Sequence, residues 1–227
     1  MSINFILNGT NNKLKLRETW PAQKNDFNIV DISLCAGQTI IPGKDDDIFG
    51  QFIKQLDDFK FQLLSLFPFI TFTEKNILHS TLLTIFNNHE DEFTKNKGEL
   101  LNLCAEIRND FYNNSPLTII FKNVVLTSNG SIIILGESNQ LSDFREFVYN
   151  KYDIDKSLKK NIIHITLGRL LQDESFYNMN DINTFLQMKG DLSLPPVIVN
   201  HPKFILSRDL HCSIVDKDLS MDFTFQK

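Results

Sequence analysis

The chain has 227 residues and a net charge of −5; 42% of its residues are hydrophobic and 22% are charged. These proportions are typical of a folded globular protein and exclude a disordered chain. The acidic balance argues against binding long duplex DNA, which requires a basic surface. No apolar run approaches the ~18 residues of a membrane span, so we expect no membrane association and a cytoplasmic location.

The three cysteines, Cys35, Cys104 and Cys212, are widely spaced and form no C-x-x-C pair. Their spacing predicts reduced thiols, not a disulfide framework or a zinc site. The acidic run at 45–47 is interpreted as the first turn of a helix, where carboxylates favour the positive end of the helix dipole. We therefore expect neither a metal nor a cofactor.

The first half of the chain begins with a polar extension over residues 1–26, and a single domain is predicted over 27–227. Alternation and β-branched residues predict a strand at 28–34. A helix from about 45 to 66 follows, ended by Pro68. A strand at 76–85 and a helix at 91–109 complete this half.

The second half begins with strands at 117–125 and 131–135, joined by a hairpin-type turn near Asn129-Gly130. A helix at 141–152 and a strand at 161–167 come next, and further elements are expected at 179–188, 203–207 and 221–225. Each half thus places a helix before a histidine-bearing strand. This order predicts an α+β fold with pseudo-two-fold symmetry and antiparallel sheets.

Two short motifs carry candidate chemistry: His79-Ser80-Thr81 and His164-Ile165-Thr166. Residues i and i+2 of a strand point to one face, so each strand should present its histidine and threonine together, with apolar residues opposite. Two such strands facing each other could cleave a phosphodiester. One imidazole would accept a proton, the other would donate one, and the hydroxyls would hold the phosphate oxygens.

Paired H-x-[ST]-hydrophobic motifs resemble the signature of the 2H phosphoesterase superfamily. Here they stand 85 residues apart as His79-Ser80-Thr81-Leu82 and His164-Ile165-Thr166-Leu167. The second continues into Gly168-Arg169, as in the family's H-h-T-L-x-R version. The segment ending at Ser207 also resembles a late strand of the family.

The resemblance implies a two-lobed fold, with antiparallel sheets around a central cleft and helices outside. It implies a metal-independent phosphodiesterase with His79 and His164 as catalytic groups and Thr81 and Thr166 as substrate-binding groups. The expected substrates are RNA ends with a 2′,3′-cyclic phosphate, 2′,5′-linked oligonucleotides and cyclic dinucleotides, and the protein is expected to be a monomer. The alternatives are a non-catalytic nucleotide- or RNA-binding module on the same fold and an unrelated protein-interaction domain.

Other residues invite a functional interpretation but have simpler ones. His211-Cys212-Ser213 also fits the motif, but polar residues precede it, so it is expected at most to line the groove. Alternation along the strand places Arg169 on the face opposite to that of His164. This position favours a structural ion pair over a role in binding phosphate. The lysines at 156, 159 and 160 are typical of a solvated helix end, or alternatively of a basic rim that attracts phosphate. His89 and His201 fall in polar loops without a metal-ligating partner.

Overall fold

The structure is a computed structural model, which describes residues 29–37, 50–66, 70–73, 78–114, 116–127, 130–170, 179–189, 192, 194–200 and 202–207. Within these ranges the fold is α+β, with antiparallel strands and four α-helices, as predicted. The expected extension at 1–26, the acidic run at 45–47 and the expected strand at 221–225 lie outside the described residues. None of the described helices combines the length and the apolar character that crossing a bilayer requires.

Eight strands lie in the described part of the chain. They are β1 (Ile29–Gly37), β2 (Ile70–Phe72), β3 (His79–His89), β4 (Leu117–Leu126), β5 (Ser131–Glu137), β6 (Ile163–Leu170), β7 (Val197–Val199) and β8 (Lys203–Ser207). Gly130 adopts a φ of 78° in the turn between β4 and β5, a left-handed conformation that glycine adopts without steric cost. Thr127 and Ser131 close this turn through a backbone hydrogen bond of 2.8 Å.

The helices are α1 (Gly50–Leu66), α2 (Glu90–Asn114), α3 (Asn139–Lys151) and α4 (Met179–Lys189). Helix α2 starts with three acidic residues, which suits the helix dipole, and buries Phe93, Leu100, Cys104, Ile107 and Phe111 at helical spacing. Helix α3 begins at Ser138, whose hydroxyl accepts a hydrogen bond from the backbone N–H of Leu141. Each predicted helix in the described ranges is present, with ends shifted by a few residues.

The strands form one sheet in the order β7-β4-β5-β6-β3-β1-β8, with β2 paired to the end of β6. The sheet has two parts, β8-β1-β3 and β6-β5-β4-β7. These parts meet between β3 and β6, where the pairing is limited to Ser80 opposite Ile165. We call this contact the seam. Both histidine motifs therefore lie at the line where the two parts of the sheet join.

One face of the sheet packs into the hydrophobic core. Alternate residues of the strands enter a single cluster with side chains of the helices: Val30, Ile32, Leu34, Leu82, Ile134, Ile165, Leu167, Phe204 and Leu206. The buried side chains of Cys35, Ile133 and Ile205 do not belong to that cluster. They belong to the opposite face, which also carries the histidines and is called the histidine face below.

Arg145 of α3 bridges the seam from within the fold. Its Nε donates to the carbonyl of Leu82 at 2.6 Å and its Nη2 to that of Thr81 at 3.1 Å, both on β3. Its Nη1 donates to the carbonyls of Lys160 at 3.0 Å and Ile162 at 3.3 Å, which precede β6. The guanidinium thus donates to carbonyls on both sides of the gap where β3 and β6 separate. Without it, the separated strands would leave these carbonyls unbonded.

Replacing Arg145 with Met should destabilise the fold by at least about 3 kcal/mol, because several buried carbonyls lose their donors at once. Arg145→Lys should recover little, since one ammonium cannot reach both strands. Urea denaturation measures the free energy of unfolding. Asp143→Asn, an exposed change on the same helix, is the matched control. A loss below about 1 kcal/mol would show that the carbonyls find other partners.

Candidate active site

The register at the seam places the four motif side chains beside one another. Ser80 lies opposite Ile165 in an antiparallel pair. Continuing this register by one residue along each strand would align His79 with Thr166 and Thr81 with His164. In that alignment each histidine faces the threonine of the other motif, and the two imidazoles lie on a diagonal.

Burial alternates along both strands as this arrangement requires. His79, Thr81, His164 and Thr166 are half-buried. The residues between and after them, Ser80, Leu82, Ile165 and Leu167, are fully buried. The motif side chains therefore share the histidine face, whereas their neighbours point into the protein.

At the spacing of a regular antiparallel pair, one phosphate would fit between the four side chains. Residues directly opposite on antiparallel strands have Cβ atoms about 5 Å apart, and diagonal neighbours are about 7–8 Å apart. Imidazoles that lean toward each other across such a diagonal leave room for one tetrahedral group between them. Short, rigid threonine side chains beside them supply hydroxyl donors for its oxygens.

The two histidines influence each other electrostatically. Burial, followed by the positive charges of His79, Lys160 and Arg145 in that order, lowers the pKa of His164 from 6.5 to about 4. His164 is therefore neutral at pH 7. Its neutrality leaves a ring nitrogen able to accept a proton, and the effect of His79 shows that the two imidazoles lie within electrostatic range.

Three further residues adjoin the motifs on the histidine face, none of them predicted as part of the site. Cys35 of β1 pairs with Thr81, and its Sγ lies 4.0 Å from the Thr81 hydroxyl oxygen. Lys203 of β8 pairs in turn with Cys35, and Leu135 of β5 pairs with His164. Together they extend a row across five strands, with a cation at one end. Only long-range strand pairing reveals this row, and no local pattern encodes it.

The predicted orientation of Arg169 is wrong. Ile133 pairs with Thr166 and Ile132 pairs with Gly168, so Leu167 is an extra residue in β6, a β-bulge. The bulge reverses the alternation, and Arg169 shares the histidine face with Thr166. Its Nη2 donates to the hydroxyl of Ser131 at 2.7 Å, and the guanidinium is buried.

The lysines before β6 divide into two kinds. Lys156 begins a short 3-10 helix, and Lys159 pairs with Glu146 of α3. Lys160 is exposed and is near enough to lower the pKa of His164. Of the three, Lys160 is thus the one that acts electrostatically on the site.

The remaining candidates lie elsewhere. His89 is exposed at the far end of β3, about ten residues from His79 along the same strand, and Ser207 is buried on β8 opposite Asp31. His201 and His211 fall outside the described residues. Within the described ranges, no group of three or more His, Cys, Asp or Glu side chains is placed to hold a metal ion.

Comparisons with known proteins identify the fold but no family. No protein-family model and no curated protein matches the chain. Among solved structures, it is similar to a conserved protein of unknown function, ATU0111 from Agrobacterium tumefaciens str. C58. The two share 12% identity and a TM-score of 0.55 over 92% of this chain and 95% of that one. The protein TT0787 of Thermus thermophilus matches with 15% identity and a TM-score of 0.40 over 78% of this chain and 86% of that one.

The pKa of His164 should be visible in folding stability. The unfolded chain binds a proton at this residue near pH 6.5, whereas the folded protein does so only near pH 4. The contribution of His164 to the free energy of unfolding is therefore fully present above pH 6.5 and is lost as the pH falls toward 4. His164→Gln should flatten the measured curve in that window. An equal slope in both proteins would contradict the depressed pKa.

The ring resonances of His164 provide a direct measurement. By NMR, its imidazole should remain neutral at pH 6 and titrate only below pH 5. His79→Gln should raise this pKa, because it removes a nearby positive charge. An unchanged midpoint in the variant would place the two rings too far apart for shared chemistry.

Proposed function

We propose that the protein is a metal-independent phosphodiesterase of the 2H type, with a two-lobed fold divided at the seam. Its substrate is a phosphodiester next to a ribose 2′ or 3′ oxygen, in a small nucleotide or at an RNA end. The substrate classes are RNA 2′,3′-cyclic phosphate ends, 2′,5′-linked oligonucleotides and cyclic dinucleotides.

One observation carries this proposal: two histidines and two threonines lie side by side on one face, at a seam that the fold holds together. A binding protein would need hydrogen-bond donors for phosphate, but it would have no need of a neutral imidazole beside a second one. His164, with its lowered pKa, is a proton acceptor at neutral pH. This property favours catalysis over a pure binding role.

The depressed pKa also suggests which histidine takes which role. His164 starts neutral, so it accepts the proton of the attacking water or hydroxyl. The new P–O bond then forms as the bond from phosphorus to the ribose oxygen breaks. Protonated His79 donates its proton to that leaving oxygen. The two rings exchange protonation states over one turnover, and transfer through solvent restores them.

The threonines act on the phosphate and not on the protons. With the register of the seam continued by one residue, each hydroxyl would lie next to the histidine of the other motif, so that it could donate to a non-bridging oxygen and hold the phosphorus in line with both rings. Charge grows on these oxygens as the reaction proceeds, and preorganised donors stabilise it. The positive charges of Lys160 and Arg145 add to the same effect.

A substrate panel tests the proposal. Nucleoside 2′,3′-cyclic phosphates, RNA with a cyclic phosphate end, 2′,5′- and 3′,5′-linked oligonucleotides and cyclic dinucleotides should be compared in the presence of a chelator. At least one 2′- or 3′-linked class should be cleaved. Activity that disappears with chelation and returns with a divalent ion would refute the two-histidine mechanism.

Histidine variants identify the catalytic pair. His79→Gln and His164→Gln should each lower the rate at least about 10²-fold, the usual effect of losing an acid–base group. His89→Gln, on the same strand as His79 but exposed at its far end, should have no effect. His211→Gln should cost much less than either motif variant. Nucleotide binding that survives in all variants, with no turnover in wild type, would favour the non-catalytic binding module.

The pH profile tests the assigned roles. The acidic limb of kcat/KM reports the base in the free enzyme, so it should lie well below pH 6.5, near the pKa of His164. The acidic limb of the kcat profile should lie at a higher pH than that of kcat/KM, because a bound phosphate anion favours the protonated imidazolium and raises its pKa. Thr81→Val and Thr166→Val should lower both curves without moving their limbs, because threonine does not titrate in this range. A rate still climbing past pH 9 would contradict the mechanism.

A further inference from the structure

The backbone of Lys160 lies close to the candidate active site because Arg145 binds it at the seam. Nη1 of Arg145 donates to the carbonyl of Lys160 at 3.0 Å, and Nη2 of the same guanidinium donates to the carbonyl of Thr81 at 3.1 Å. The planar guanidinium holds these two nitrogens in a fixed geometry, so the two carbonyl oxygens are at most about 8 Å apart. Lys160 is therefore near a motif residue of β3, although it precedes β6 in the chain.

The charge of Lys160 acts on the site and is not neutralised by a neighbouring carboxylate. The residue is exposed, and within the part of the chain that the structure describes no carboxylate pairs with it. The preceding residue differs, because Lys159 pairs with Glu146 of α3. The charge of Lys160 lowers the pKa of His164 more than the charge of Arg145 does, which places its ammonium within electrostatic range of that imidazole. Lys160 thus offers a cation at the rim of the candidate site.

The scissile phosphate does not need this cation as a direct ligand. A phosphodiester has two non-bridging oxygens, and in the proposed mechanism the hydroxyls of Thr81 and Thr166 each donate to one of them. The two imidazoles act on the attacking and the leaving oxygens. Every oxygen around the scissile phosphorus then has a partner among the four motif side chains. A lysine beyond them is available to a second anionic group of the same substrate.

A second phosphate is the anionic group that most of the expected substrates carry. Oligonucleotides, RNA ends and cyclic dinucleotides place another phosphate one nucleotide away from the scissile one, whereas a nucleoside 2′,3′-cyclic phosphate has none. The flexible four-carbon stem of a lysine spans a distance of this order and ends in a compact charge with three donors. Hydrogen bonds between such a charged donor and a phosphate oxygen are stronger than those between neutral groups.

We propose that Lys160 binds the phosphate adjacent to the scissile one, so that the preferred substrate is an oligonucleotide, an RNA end or a cyclic dinucleotide and not a nucleoside 2′,3′-cyclic phosphate. The inference rests on the proposed function, which places the scissile phosphate between the motif side chains. Lys160 then determines which class of substrate is selected, whereas His79 and His164 transfer the protons.

Binding measurements on the intact chain at pH 7 test the role of Lys160 without relying on turnover. Wild type is titrated calorimetrically with adenosine 3′-monophosphate and with adenosine 3′,5′-bisphosphate, which adds one phosphate to the same nucleoside. The bisphosphate should bind at least about 5-fold more tightly, the effect of one lysine–phosphate pair. Lys160→Gln should bring the two affinities within about 2-fold of each other. Lys160→Arg should retain the preference, because arginine keeps the charge and also binds phosphate.

Lys159→Gln is the matched control, because it removes the same charge one residue away, where Glu146 already engages it. It should retain the preference for the bisphosphate. Equal binding of the two ligands by wild type would overturn the proposal, as would an unchanged preference in Lys160→Gln or the same loss in Lys159→Gln. A loss confined to Lys203→Gln would also overturn it, since the second phosphate would then lie near β8 instead.

The substrate panel decides the phosphodiesterase separately. A preference for the bisphosphate that depends on Lys160, without turnover of any substrate, would refute catalysis and leave the second phosphate site standing. Turnover confined to nucleoside 2′,3′-cyclic phosphates would support catalysis and overturn the role of Lys160. If both proposals are correct, nucleoside 2′,3′-cyclic phosphates should be the poorest substrates of the panel.

Discussion

The guanidinium of Arg145 holds together the two strands that carry the histidines. The parts of the sheet are joined at the seam by a single residue pair, Ser80 and Ile165, beyond which β3 and β6 separate. Backbone carbonyls left at such a gap must find donors, and four of them find this one side chain. A planar group with five donors serves both strands at once, which no other side chain can do.

The same residue contributes to the electrostatics of the site. Burial lowers the pKa of Arg145 to about 10, so the group remains charged at neutral pH. Its charge is among those that lower the pKa of His164. The interaction that closes the seam therefore also favours the neutral imidazole of His164. The stability of the fold and the proton affinity of His164 both depend on the Arg145 cation. Tyr149, one turn later on α3, reinforces the junction by donating to the carbonyl of Thr84 at 2.6 Å.

The bulges on both sides of the motifs have a related role. Pairing between β1 and β3 shifts twice, and pairing between β5 and β6 shifts at Leu167. A bulge bends its strand and increases the local twist, and bulges are common next to active sites. Here they flank the His-x-Thr segments, so the motif residues keep regular alternation while the strands bend around them. Gly168 follows the bulge, and a side chain there would approach the Thr71 carbonyl within 2.5 Å.

The sequence was sufficient to predict what depends on local pattern. The four helices, the longer strands, the shared face of each His-Thr pair and the buried residues between them follow from local periodicity, whereas the three-residue strands β2 and β7 were not predicted. The orientation of Arg169 was mispredicted because one bulged residue, invisible in the sequence, reverses the alternation. Arg145 was missed because an arginine in a helix is usually exposed, and its role depends on contact with β3, which lies 63 residues earlier in the chain at Leu82. Cys35 and Lys203 join the histidine face only through long-range register.

In the proposed mechanism, the lowered pKa of His164 would connect phosphate binding to proton transfer. The charges of His79, Lys160 and Arg145 oppose protonation of His164 while the site is empty, and those same charges attract an anion. A phosphate placed between the rings would offset them, so the pKa of His164 would rise as the substrate binds. The ring would then be neutral before binding and a stronger base afterwards, closer to the range in which proton transfer at neutral pH is efficient. The arrangement would activate the base only when the group to be cleaved is in place.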